Sequence, residues 1–206
     1  PKGSKKYFNH MLKSFAGSGV IENEVKEVTS GKFYENDDFM LVAEKLKHSA
    51  ECIGFSFIEK DKRRVNTIKA EKLGLSGPIL GELQKGKTVT FNGKKIKPDD
   101  VTYLVQGKKI SYIADTLPCN GANKLAENAD LVISEGTHLS DISEKTKKYM
   151  HLTVKDAALI ASENGAKKLV ITHISPRYKS ISEIVEEART YFDETIVAED
   201  FMRIRV

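Results

Sequence analysis

A layered α/β domain is the fold class this sequence predicts, on three observations. From residue 110 onward, short β-type runs alternate with helix-patterned stretches, as they do when helices cover a sheet. The 206 residues are 40% apolar and 30% charged, the balance of a globular chain of one domain, or of one domain with an appendage. No internal repeat or low-complexity tract interrupts the pattern, and no apolar run approaches the ~18–20 residues of a membrane span. No apolar stretch backs the opening Pro1-Lys2-Gly3-Ser4-Lys5-Lys6, so neither a signal peptide nor a membrane partner is expected. Cys52 and Cys119 are too few for a disulfide scaffold, which makes a reducing, cytoplasmic compartment the expectation.

Each element has a reason. Residues 4–16 read as a helix, because Tyr7, Phe8, Met11, Leu12 and Phe15 recur at helical spacing and Gly17 stops the run. The apolar run 39–43 reads as a buried strand. Ile53, Phe55 and Phe57 alternate, which is a strand with one buried face. Residues 110–114 form a strand, and Ala122, Leu125, Ala126 and Ala129 line one face of a helix. Strand 131–133 follows. Thr153 with Asp156 makes a capping box that opens a helix over 154–164. Strand 169–172, an amphipathic helix over 181–192 through Ile184, Val185, Ala188 and Phe192, and strand 196–198 complete the rhythm. Met202, Ile204 and Val206 then alternate with Arg203 and Arg205.

Residues 62–97 differ in character. A basic helix-like run ends at Gly74, a break falls at Ser76-Gly77-Pro78, and a second short segment ends at Gly86. Asn92-Gly93 marks a turn between β-type pieces at 88–91 and 94–97. Poor in large apolar residues, this insert is expected to have no core of its own. Residues 60–97 carry eleven Lys/Arg against Asp61, Glu71 and Glu82; the stretch is +8 in a chain of +4, so the remainder is −4. Charge gathered in this way attracts a polyanion, most often a phosphate backbone, although a solvated face reads equally well. The organisation expected is a core of 1–61 and 98–206, interrupted by a basic arm at 62–97.

Five histidines are candidates for chemistry. His10 falls on the polar side of the first helix and His138 in a Ser/Asp-rich loop; neither context suggests a function. His48 follows a strand region, Asp115 ends the strand 110–114, and His173 ends the strand 169–172. In layered α/β folds ligand groups gather at strand ends, and imidazole with carboxylate suits Zn²⁺ or a similar divalent ion. From spacing alone the signal is weak, because the ligands form no compact motif and a lone His or Asp at a strand end is more often structural.

Ordered motifs add weight. The string Leu169-Val170-Ile171-Thr172-His173-Ile174-Ser175-Pro176-Arg177-Tyr178 resembles the C-terminal signature of the ribonuclease Z family, tRNA 3′-processing endonucleases of the metallo-β-lactamase superfamily. Tyr112-Ile113-Ala114-Asp115-Thr116 resembles that family's Gly-Asp-Thr segment, with Ala114 where Gly is usual. Lys47-His48-Ser49 followed by Gly54-Phe55-Ser56-Phe57-Ile58-Glu59-Lys60-Asp61 resembles its third-motif histidine and the strand after it. Gly77-Pro78-Ile79-Leu80-Gly81 through Gly86-Lys87-Thr88-Val89 resembles the Gly-Pro loop of its tRNA-gripping arm.

The resemblance implies a metallo-β-lactamase-like αββα sandwich, here without its N-terminal part, bearing an inserted basic arm. It implies that His48 binds one metal ion, His173 another, and that Asp115 bridges them, with two Zn²⁺ per site in the complete enzyme. It assigns His151 to leaving-group assistance and Glu135 to orienting it. Precursor tRNA would meet Lys62, Arg63, Arg64, Gly77, Pro78, Lys85 and Lys87, in a homodimer where one subunit's arm serves the other's site. Ser134 stands where the family's His-Glu-Ala-Thr motif begins with His, and Leu152 where Ser usually follows the histidine. The family's His-x-His-x-Asp-His motif is expected ahead of Pro1, so this chain would hold three of seven metal ligands and be inactive alone. Three other readings stand beside this one: a different metallo-β-lactamase-fold phosphodiesterase or hydrolase, a non-catalytic RNA-binding fragment, and a plain α/β scaffold protein.

Overall fold

The computed structural model describes residues 1–15 and 22–206, the side chains at 143 and 145 excepted. Gly17, the expected helix stop, lies outside the described residues. The chain divides into two compact units, one of Pro1–Ile58 with Lys108–Val206 and one of Glu59–Gly107. The first half of the elements runs α1 (Ser4–Phe15), β1 (Gly31–Glu35), β2 (Phe39–Leu46), β3 (Cys52–Glu59), β4 (Lys62–Val65), α2 (Thr67–Lys72), α3 (Pro78–Gln84), β5 (Val89–Phe91), β6 (Lys94–Ile96), α4 (Pro98–Val101) and β7 (Thr102–Val105). Then come β8 (Lys109–Ile113), α5 (Asn120–Ala126), β9 (Leu131–Glu135), α6 (Ser143–Lys148), α7 (Val154–Glu163), β10 (Leu169–Thr172), α8 (Ser182–Tyr191) and β11 (Thr195–Val197).

The larger unit is a seven-stranded sheet ordered β1-β2-β3-β8-β9-β10-β11. β3 and β8 are antiparallel, while β8 to β11 are successively parallel, as helical connections require. α5 packs on β2 and β8, α7 on β9 and β10, and α8 on α7 and β11. The sheet residues facing these helices, Ile113, Val132, Leu169, Ile171 and Val197, share one core with Leu125, Val154, Ile184 and a series of helix alanines. Each fully buried aliphatic side chain there contributes ~1.5–3 kcal/mol. The capping box predicted from Thr153 and Asp156 is present and opens α7. The parallel pairing Ile113↔Ser134, Ile171↔Ser134 and Thr172↔Glu135 sets the carboxyl ends of β8, β9 and β10 side by side.

The buried face expected of β3 needs revision. The alternation in β3 is real, yet Gly54 and Ser56 are its buried residues and Phe55 is 39% exposed. The reason is space: a Cβ on Gly54 would meet Leu125 Cδ1 at 2.5 Å and the Tyr112 carbonyl oxygen at 2.7 Å, so α5 accepts only small residues beneath it. The aromatic rings of Phe33, Phe39 and Phe57 associate on the sheet with Phe55 and Tyr34 instead. Helix α1 forms where its spacing predicts but buries no residue; Tyr7 is 73% and Phe15 88% exposed. No described helix is long and apolar enough to cross a membrane.

The smaller unit pairs β4 with β7 and β5 with β6, both antiparallel. Asn92 and Gly93 have φ of 49° and 75°, the left-handed pair that a two-residue hairpin turn demands. The expectation of no separate core is wrong: Ala70, Leu75, Leu83, Ile96 and Val101 pack together, ringed by Val65, Ile79, Leu80, Val89 and Phe91. These residues are spread over several short elements, so no one segment looks apolar. Bounded at Glu59 and Gly107, the unit gains the acids Glu59, Asp99 and Asp100, and its net charge is +5, not the +8 of residues 60–97.

Candidate metal centre

Asp115 leaves β8 at φ 54° and His173 leaves β10 at φ 55°, so both chains turn out of the sheet through the left-handed region. Asp, Asn and His are the side-chain-bearing residues that enter this region most readily. Glu135 is the last residue of β9 and is fully buried. Its Oε1 accepts from the Thr116 backbone N–H at 2.6 Å, and its Oε2 accepts from the Thr137 hydroxyl at 2.7 Å. His151 Nδ1 lies 2.9 Å from that same Oε2, and 3.6 Å from Asp115 Oδ1. His173 Nδ1 is 3.1 Å from Thr137 Oγ1, and its Nε2 is 3.8 Å from Asp115 Oδ1.

One ligand atom from each of Asp115, Glu135, His151 and His173 lies within 4.8 Å of the other three. His48 stands beside this group and is not a fifth member of it: its ring centroid is 5.4 Å from that of His151, which is 5.2 Å from that of His173. Thr116 holds the two loops together. Its Oγ1 accepts the Lys47 N–H at 3.0 Å, while Leu117 N–H donates to the Lys47 carbonyl at 2.9 Å. Two imidazoles and a carboxylate at strand ends are the donor set of a zinc or similar divalent site, and these residues fit such an ion. Glu135 already accepts three hydrogen bonds, which suits it to orienting its neighbours and not to coordination.

The departures from the family pattern have structural reasons. Ser134 is buried and donates to the Glu135 carbonyl at 3.0 Å. Leu152 is fully buried in the core and its carbonyl accepts Thr137 N–H at 3.0 Å. A Cβ on Gly136 would come within 2.8 Å of Ile171, so the strand exit is tight there. His10 is exposed, and His138 is buried beside Tyr178. Thr116 and Thr137 stand at the threonines of the two resembled motifs, but the sequence assigned them no role; the bonds their hydroxyls make follow from the fold.

In the smaller unit several of the basic candidates are engaged. Arg63 donates to Asp99 at 2.5 Å and to Thr102 at 3.0 Å. Lys85 and Lys87 pair with Glu82 at 3.1 and 2.7 Å, and hydrogen bonds from Lys87 and then Lys85 hold that carboxyl below its ordinary range. Lys62 and Arg64 are exposed on β4. Gly77 caps α3 at φ 64° with Pro78 in the first turn.

Fold and site together define a metallo-β-lactamase-fold protein. Among solved structures, the metallo-β-lactamase fold protein YhfI from Bacillus subtilis superposes with a TM-score of 0.59 at 17% identity, over 93% of this chain and 58% of that one. Human tRNase Z, short form, superposes with a TM-score of 0.62 at 22% identity, over 98% of this chain and 64% of that one. In sequence, the chain is 35% identical over 212 residues to a ribonuclease Z of Methanosarcina mazei, covering all of this chain and 69% of the relative. A ribonuclease Z of Protochlamydia amoebophila is 36% identical over 203 residues, 98% of this chain and 66% of its own length. No family profile matches. The chain belongs to the ribonuclease Z family. It spans 66% and 61% of the length of the Protochlamydia and Archaeoglobus fulgidus relatives, somewhat less than the whole protein each represents.

Proposed function

We propose that this chain carries part of the active site of a metal-dependent endoribonuclease that removes 3′ trailers from tRNA precursors, leaving 3′-hydroxyl and 5′-phosphate ends. The observation that supports this most is the gathering, within 4.8 Å, of Asp115, Glu135 and His173 at three parallel strand ends with His151 from the segment ahead of α7, in a ribonuclease Z relative. His48, Asp115 and His173 would hold Zn²⁺, two ions in the complete site, with Asp115 shared between them. An ion held by these residues would supply Lewis acidity for the attacking water and positive charge for the phosphoryl oxygens. Glu135 holds His151 through Nδ1, which leaves Nε2 to carry a proton to the departing 3′-oxygen, a role that contributes ~10²–10⁴-fold. The Glu59–Gly107 unit, with Lys62, Arg63, Arg64, Gly77, Pro78, Lys85 and Lys87, would grip the precursor's phosphate backbone. A cytoplasmic homodimer, completed by the His-x-His-x-Asp-His segment, is part of the same proposal.

Three ligands, one of them shared, cannot give two ions four contacts each. The chain alone should therefore be metal-poor and should leave a trailer-labelled pre-tRNA intact, while its combination with the His-x-His-x-Asp-His segment should cleave in a chelator-sensitive manner. Chelator-sensitive cleavage by the chain alone overturns the incomplete-site reading. A combined protein that binds zinc yet leaves pre-tRNA uncut overturns the function.

A further inference from the structure

Between the buried Glu135 carboxylate and the half-exposed His173 imidazole stands a single hydroxyl. Thr137 is buried, and its backbone is fixed on both sides, its N–H donating to the Leu152 carbonyl and its carbonyl accepting from Ser175 N–H, each at 3.0 Å. Its Oγ1 is 2.7 Å from Glu135 Oε2 and 3.1 Å from His173 Nδ1. A hydroxyl has one proton to give, and a carboxylate can only accept. That proton therefore goes to Glu135, and the hydroxyl oxygen turns a lone pair toward the ring. Two lone pairs do not bond, so the ring nitrogen facing it carries the hydrogen.

We infer that Thr137 is a positioning residue that relays the Glu135 carboxylate to His173, fixes the Nδ1–H tautomer of that ring, and thereby bares Nε2 toward Asp115. The inference rests on the reading above, in which His173 and Asp115 are metal ligands. Nε2 and Asp115 Oδ1 are then two acceptors 3.8 Å apart, a pairing that only a shared cation or a bridging donor makes favourable. Two ligands ~2.0–2.1 Å from one tetrahedral zinc lie roughly 3.4 Å apart, so a small closure brings both onto one ion. Glu135 thus serves two imidazoles by two routes, His151 directly and His173 through Thr137. Carboxylate support behind a ligating histidine fixes its tautomer, and loss of such outer contacts costs ~10–100-fold in metal affinity.

The test uses ¹⁵N-histidine-labelled full chain, free of metal, at pH ~8.5, above the ordinary imidazole range near ~6.5. Long-range proton–nitrogen spectra should show His173 protonated on Nδ1 in the parent and in Thr137→Ser. Thr137→Val, equal in volume but without the hydroxyl, should shift His173 to the Nε2–H form and leave His151 protonated on Nδ1. In the chain combined with the His-x-His-x-Asp-His segment, and with Zn²⁺ alone as the probe, Thr137→Val should lose ~10-fold or more in affinity, and Thr137→Ser should keep the parental value. His173 protonated on Nε2 in the parent, or Thr137→Ser behaving like Thr137→Val, overturns the inference, and the parent spectrum decides even where the valine variant does not fold. If the tautomer shifts as expected while excess Zn²⁺ leaves the His173 nitrogens unperturbed in the chain combined with the His-x-His-x-Asp-His segment, Thr137 keeps its role and the metal assignment falls instead.

Discussion

The ring Nδ1 of His48 lies 3.0 Å from the carbonyl oxygen of Met150, 102 residues further along the chain. A carbonyl only accepts, so the ring donates through Nδ1, and its Nε2 is left with its lone pair, the atom that would ligate under the proposed function. Met150 sits at φ 60°, and the next residue is His151, whose own Nδ1 meets Glu135. One short segment ahead of α7 thus sets two imidazoles at once, the first by its backbone and the second by its side chain.

Glu135→Gln should injure both fold and chemistry. All three partners of this carboxylate are donors, so one end of an amide must bring its NH₂ against a donor. A buried group left without its partner costs ~1–3 kcal/mol, readable as a lower urea midpoint. In the completed enzyme, single-turnover cleavage of pre-tRNA should fall ~10²–10⁴-fold as His151 loses its orientation. Parental cleavage by a folded Glu135→Gln protein would remove Glu135 from the mechanism.

Removing the smaller unit should separate binding from hydrolysis, provided the cut respects its boundaries. A Cβ on Gly107 would lie 2.1 Å from the Glu59 carbonyl oxygen, so these two residues are adjacent and a short linker can join them. Deleting 62–97 alone would strip β7 of its partner β4 and expose Val101. The completed enzyme lacking 60–106 should hydrolyse a small chromogenic phosphodiester at nearly the parental rate and process pre-tRNA very poorly. Each lost phosphate contact should lower the slope of log affinity against log salt by ~0.7–0.9. Equal losses on both substrates would show that the unit supports the core and not the RNA.

Asp130 should make stability fall with acid. Its Oδ1 meets Lys167 Nζ at 2.9 Å and Lys108 Nζ at 3.2 Å, and its Oδ2 accepts Lys109 N–H at 2.9 Å. Burial by itself raises this carboxyl, but the hydrogen bonds from Lys167, Lys109 N–H and Lys108 outweigh it and hold the group below its ordinary value. A depressed carboxyl stabilises the fold above its unfolded value, and that stability is lost as pH falls through the folded one. Because both lysines are largely solvated, Asp130→Asn should cost only ~1–2 kcal/mol at pH 7. Urea titrations should show the gap closing as pH falls below the ordinary carboxyl range and through the depressed folded value; a gap independent of pH would mean the charge does nothing.

Much of this was legible in the residues. The rhythm of strands and helices after residue 110, the Thr153–Asp156 capping box and the Asn92-Gly93 turn all follow from local chemistry, and local chemistry is what a sequence displays. Phe55 and Gly54 mark where it stops. Alternation shows that two faces exist, but which face is covered depends on α5, a helix some 65 residues away, approaching too closely for anything larger than Gly54 and Ser56. The small core around Leu83 and Val101 escaped notice because its members come from many short segments. Thr116 and Thr137 fall inside motifs the sequence displays, yet what each hydroxyl bonds is decided only by what folding sets beside it.

The left-handed backbone at Asp115 and His173 bears on how variant libraries of this protein should be interpreted. At both positions an alanine or valine scan confounds two losses, the side chain's chemistry and a conformation that β-branched residues strongly resist. Asparagine keeps the conformation and discards the charge or the imidazole, so Asp115→Asn and His173→Asn isolate chemistry from folding. Tolerance at these two sites should therefore rank by backbone in a stability selection and by ligand in an activity selection, with aspartate and histidine leading only where both pressures act together.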